Sequence, residues 1–109
     1  MKSFLTIISS SLSSSQVTRG LQIALDLQSK GHVSVVLVQD AVLAALKTSR
    51  IADRIRQLPS NGGSVYVLAD HLNKRGFSSD DLLETVRIID YAQLVEFMMN
   101  EETSMLGVF

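Results

Sequence analysis

Short apolar runs alternate with helix-like patterns along the whole chain, and this alternation restricts the fold more than any other feature. Residues 4–8 are apolar apart from Thr6, and residues 33–38 form a β-branched run. Residues 65–68 and 86–89 repeat the pattern, and 105–109 close it. A strand with one wet face alternates strictly between polar and apolar residues. These runs do not, so they read as strands covered on both faces. The segments between them carry helical spacing. Val17, Leu21, Ala24 and Leu25 share one face, widened by Ile23 and Leu27. Ile51, Ile55 and Leu58 share another, as do Leu94, Val95 and Met98. The expected class is α/β: a three-layer α/β/α arrangement around a mainly parallel sheet of about five strands, joined by right-handed crossovers. The 109 residues correspond to one domain, 1–109, with no linker or internal repeat.

Punctuation supports these boundaries. Ser13 with Gln16, and Ser78 with Asp81, have capping-box spacing. Asp40, Asp70 and Asp90 each follow a strand and precede a helix, as N-caps do. Gly31 suits the left-handed position after the first helix. Pro59 stops the helix containing Ile55, and Asn61-Gly62-Gly63 makes the next turn.

Composition removes several function classes. With 46% hydrophobic and 19% charged residues the chain has enough apolar surface to fold. A net charge of -1 gives no drive toward nucleic acid or an anionic membrane. There is no cysteine, hence no disulfide, thiolate metal site or thiol nucleophile. Lys2 followed by an apolar run echoes a signal peptide, but Thr6 and the serines that follow favour a buried first strand. No stretch reaches the roughly 18 apolar residues of a membrane span, so a soluble, cytoplasmic protein is expected.

Ligands of open parallel sheets bind beyond the carboxyl ends of the strands. That rule selects Ser9, Ser10, Ser11, Ser13, Ser14 and Ser15, then Gln39 with Asp40, Asp70 with His71, and Asp90. The serine loop precedes a helix N-terminus, where free N–H groups favour anions. The same serines also serve as helix caps in a solvated loop. No Gly-rich phosphate motif is present. Three aspartates at one edge suit a hard cation, or three caps without one. His71 is the histidine at this edge and reads either as a general base or as a surface residue; His32 lies at the opposite edge. No nucleophile elbow accompanies it. Neither metal nor cofactor is expected.

Two segments are apolar nearly all round. Residues 41–46 contain no polar residue, and Leu94, Val95, Phe97, Met98 and Met99 cover most of a helix. A helix on a sheet needs one apolar stripe, so Val42, Leu43, Leu46, Phe97, Met98 and Met99 are candidates for a subunit interface; the other reading is burial within the chain.

Residues 65–77, VYVLADHLNKRGF, together with the order of elements, resemble the DsrE/DsrF/DsrH family of sulfur-relay proteins, which includes the Tus proteins of tRNA thiolation. Residues 86–96, VRIIDYAQLVE, look most like its DsrH/TusB branch, although the final run lacks that branch's tryptophan. In sulfur-carrying members a cysteine at the end of the third strand takes sulfur as a persulfide. The matching position here, counted back from Arg75-Gly76, is Leu68. The resemblance therefore implies a non-catalytic subunit. It would form a homo-oligomer, trimer or hexamer, or a hetero-oligomer with cysteine-bearing relatives. The residues alone leave a second reading: a protein that binds a small molecule or anion through the serine loop with Asp40, Asp70 and His71.

Overall fold

The computed structural model describes residues 3–11, 13–100 and 102–109. The start of the leader-like segment (Met1 and Lys2) and Leu12 of the serine loop lie outside them. Five strands form one sheet: β1 (Ser3–Ile8), β2 (His32–Leu37), β3 (Ser64–Leu68), β4 (Val86–Ile89) and β5 (Thr103–Val108). Their order is β4-β3-β2-β1-β5, and every pairing is parallel. Parallel neighbours need crossovers, and the helices supply them: α1 (Ser15–Leu27), α2 (Ala52–Ser60), α3 (Ala69–Lys74) and α4 (Tyr91–Met99). A 3-10 helix, Gln39–Ala45, follows β2, and a short 3-10 turn, Ser79–Asp81, precedes β4. Among the described residues no helix is long and apolar enough to cross a membrane.

The two faces of the sheet are covered unequally. On the first, Val33, Val35, Val65 and Val67 pack with Leu21, Ile55, Leu72 and with Ala41, Val42, Ala44 and Ala45 of the 3-10 helix. On the second, Leu5, Ile7, Val36, Val38, Leu68 and Ile89 pack beneath Leu94 and Phe97 of α4. Thus α4, entering one residue after β4, crosses to the far side of the sheet to reach β5. Gly107 makes that last pairing possible. The register slips between Leu5↔Met105 and Thr6↔Gly107, and Gly107 takes φ 146° in the bulge.

Several local expectations are corrected. Helix α1 is capped by Ser14, whose hydroxyl accepts from the Gln16 N–H, not by Ser13. Gly31 does not have positive φ; α1 ends at Leu27, with Gln28 continuing right-handed. Pro59 lies in the last turn of α2 rather than beyond it, and Gly62, at φ 94°, reverses the chain. Asp40 and Asp70 occupy first turns but cap nothing. Strands β2 and β3 run straight into their helices, so Val38 and Leu68 hold the cap positions. Asp90 is a cap, in a box with Gln93, and Ser78 forms its box with Asp81. Val42 and Leu46 are withdrawn from the interface candidates. The 3-10 helix is enclosed within the chain, with Val42 fully buried and Leu43 partly so. Its all-round apolar character reflects burial on every side.

Candidate functional site

The carboxyl ends of β2, β3 and β4 bring together residues that sequence distance separates. The chain leaves β2 through Gln39, at φ 51° the one non-glycine residue with positive φ among those described. That conformation costs about 1–2 kcal/mol in a residue with a Cβ. It points the Gln39 N–H at Nδ1 of His71, 2.7 Å away. His71 sits on α3, directly after β3. Its other nitrogen, Nε2, lies 2.9 Å from the hydroxyl of Tyr91, the first residue of α4, and the two rings meet edge to face with centroids 5.9 Å apart.

This geometry fixes the tautomer. A backbone N–H can only donate, so Nδ1 must accept, and the ring proton lies on Nε2, which donates to Tyr91. Burial, reinforced by the positive charges of Arg75 and Lys74, holds the His71 pKa below its usual value, with Asp70 opposing. Arg75 completes the cluster. Its Nη1 donates to the His71 carbonyl at 3.0 Å, while Nε and Nη2 both reach Oδ1 of Asp40 at 3.2 and 3.0 Å. The pair is partly exposed, so it contributes only about 0–1 kcal/mol and serves mainly to position α3 against the 3-10 helix.

The edge residues selected from sequence divide accordingly. His71 and Asp40 join this network; Asp70 neighbours His71 on an exposed turn. The serine loop at the end of β1 has internal partners. Ser10 Oγ donates to the Phe109 carbonyl, Ser11 and Ser13 share a hydrogen bond at 2.8 Å, and Ser14 caps α1. Ser9 is half-buried and Ser15 exposed at the helix start. Among the described residues no group of three or more His, Cys, Asp or Glu is placed to hold a metal. Sequence reasoning missed the roles of Gln39, Tyr91 and Arg75. The available signal was position, since Gln39 and Tyr91 each follow closely on a strand's end.

Leu68 lies under this edge, 1% exposed, among Leu5, Ile7, Val36, Val38 and Ile89. The opposite half of the same face is polar. Registers Ser3↔His32 and Ser34↔Ser64 place hydroxyls there, and a cavity of about 200 Å³ is lined by Ser3, His32, Ser34, Tyr66 and Phe97.

A parallel sheet in this order, with three of its four connections on one face and α4 alone on the other, defines a small α/β protein. Its ligand edge is closed by a His–Tyr–Arg–Asp network and carries no cysteine. The sequence model of the DsrH like protein family matches residues 13–104, and the chain belongs to that family, which ties it to a role related to sulfur relay. Its fold is similar to that of the YchN protein from E. coli, with a TM-score of 0.89 at 20% identity over 98% of this chain and 99% of that one. A protein of unknown function from Methanobacterium thermoautotrophicum shares the fold at TM-score 0.76 and 18% identity, covering 97% of each chain. A conserved protein of unknown function from Bacteroides thetaiotaomicron does so at 0.72 and 21%, covering 95% of this chain and 93% of that one. No curated protein matches in sequence.

Proposed function

We propose that the chain is a non-catalytic, cytoplasmic subunit of a sulfur-relay assembly of the kind that serves tRNA thiolation, acting by holding other subunits together. The observation that carries this reading is the outer surface of α4. Leu94 and Phe97 face the sheet, whereas Tyr91, Val95 and Met98, at i, i+4 and i+7, are each 49% exposed and Met99 is 76% exposed. Exposed single apolar residues are ordinary, but four on one nine-residue helix form a continuous patch of the kind that partners cover. The missing thiol agrees. With no cysteine in the chain and leucine where sulfur-carrying relatives keep theirs, sulfur would reside on a partner. Met98 and Met99 remain interface candidates; Phe97 is engaged with Tyr66, ring centroids 5.2 Å apart.

The test is the mass of the intact protein in solution, alone and mixed with a cysteine-bearing relative. A trimer, hexamer or mixed complex that falls apart on Val95→Asp with Met98→Asp supports the reading. Monomer under both conditions at micromolar concentration refutes it.

A further inference from the structure

His71 is the one side chain that ties three elements together through both of its ring nitrogens: the strained turn after β2, α3 itself, and the first residue of α4. We propose that it is a proton-operated latch. Protonation of His71 releases α4 from the turn after β2 and so disturbs the apolar outer face to which Tyr91 belongs; the consequence for assembly rests on the reading given above.

Neutral His71 offers Nδ1 as the acceptor that the Gln39 N–H requires. A proton on Nδ1 sets two N–H donors head-on across 2.7 Å, and the bond cannot survive. Either the ring turns or the Gln39 peptide swings, and the Gln39 backbone is already in a conformation it leaves readily. Ring rotation also removes the Nε2 bond to Tyr91.

The charged groups around the ring favour the closed state at neutral pH. From α3, Arg75 and Lys74 oppose a second positive charge, and Asp70 favours it. From the 3-10 helix, Asp40 is held by Arg75. From α4, the Asp90 carboxylate is committed to the Gln93 N–H, and Tyr91 presents its hydroxyl to Nε2. The latch therefore opens below the ordinary histidine range, about pH 6.5.

The test is nitrogen NMR on the full-length chain. At neutral pH the His71 ring should show an unprotonated Nδ1 and a protonated Nε2. On acidification the Gln39 and Tyr91 amides should shift with the same midpoint as the ring, below about 6.5. In His71→Asn the side-chain oxygen can still accept from Gln39 but does not titrate, so that shared transition should be lost. His32→Asn, which removes the second histidine, should leave it intact. The opposite tautomer, amides that ignore the His71 midpoint, or an unchanged transition in His71→Asn would each overturn the latch; the first two need only the natural sequence. Mass measured across the same pH range separates the two readings. A monomer at every pH whose amides still follow His71 sinks the assembly reading and leaves the latch. A complex whose mass ignores pH while the amides follow His71 removes the link between them.

Discussion

Replacing Leu68 by cysteine puts a thiol at the position that the resemblance to sulfur-carrying relatives marks for one, and the structure says what that achieves. Leu68 is 1% exposed and packed among Leu5, Ile7, Val36, Val38 and Ile89. Leu68→Cys removes about two methyl equivalents from that cluster. The transfer loss is about 1.6 kcal/mol at ~0.8 per buried carbon group, and the space left behind raises it to about 2–3 kcal/mol. For a chain of this size the melting temperature should drop by about 10 °C. The thiol would be poorly reactive. Apolar burial raises its pKa, while the amino end of the six-residue α3 pulls the other way. Accessibility decides between them, because a reagent must reach the sulfur. Labelling should then proceed through opening of the structure. Even a residual 4 kcal/mol of stability slows it about a thousandfold relative to the unfolded chain. The assay is thiol labelling in buffer and in urea, beside a urea melt. Fast labelling of a native protein with undiminished stability would show that Leu68 is not sealed, and the reasoning would fail. The expected outcome means that restoring the cysteine does not restore a carrier; α4 and the end of β4 would also have to stand clear.

Three further outcomes follow from the packing. Gly63→Ala should cost about 2–3 kcal/mol, because a Cβ there collides with Gln28 Nε2 and meets the carbonyl oxygens of Val33 and Leu58 at 3.0 and 3.1 Å. Gly62→Ala, with open space but φ 94°, should cost only about 1 kcal/mol, and urea midpoints of equal slope would compare them. Asp90→Ala should remove about 1 kcal/mol by unmaking the capping box of α4, with faster amide exchange confined to that helix. Stability should also depend on pH through His71. Its folded pKa is depressed, so the unfolded chain binds the proton more readily. The contribution is complete above about pH 6.5 and is lost as pH falls toward the folded value. In urea melts between pH 7.5 and 5 the advantage of the natural chain over His71→Asn should be largest on the alkaline side and shrink on the acid side. A constant gap would contradict the assignment.

Much of the architecture was legible because doubly covered strands leave a plain mark. The mainly apolar runs of β1, β2 and β3, which lack strict alternation, pointed to a parallel sheet. The capping box at Ser78 and the cap at Asp90 were legible for a local reason, since donor and acceptor lie three residues apart; the box with Gln93 is added by the structure. Asp40 and Asp70 misled because aspartate suits the first turn as well as the cap, and only the backbone shows that Val38 and Leu68 came first. Residues 41–46 misled differently. An apolar helix reads the same whether a partner or its own chain encloses it. The His71 network was half legible: the strand-end rule found His71, Asp40 and Gln39, though not the bond between them. The partners Gln39 and Tyr91 lie 32 and 20 residues from His71, and only the sheet order brings them together.

The place of β1 in the sheet has a consequence for how the molecule comes into being. It is the first of the five strands to be made, yet one of its flanks is completed only by the fifth; the Ser10 to Phe109 contact that ties them spans 99 positions. Strands β1 to β4 can assemble in order as they emerge from the ribosome, each beside its predecessor. Throughout that time β1 shows a bare row of N–H and C=O groups to the surroundings. Contacts at such separation form late and slowly, so the nascent protein passes through a stage in which its most hydrophobic central strand is open to other chains. Yield during synthesis, more than equilibrium stability, should therefore be the property most sensitive to changes in β5 and its Gly107 bulge.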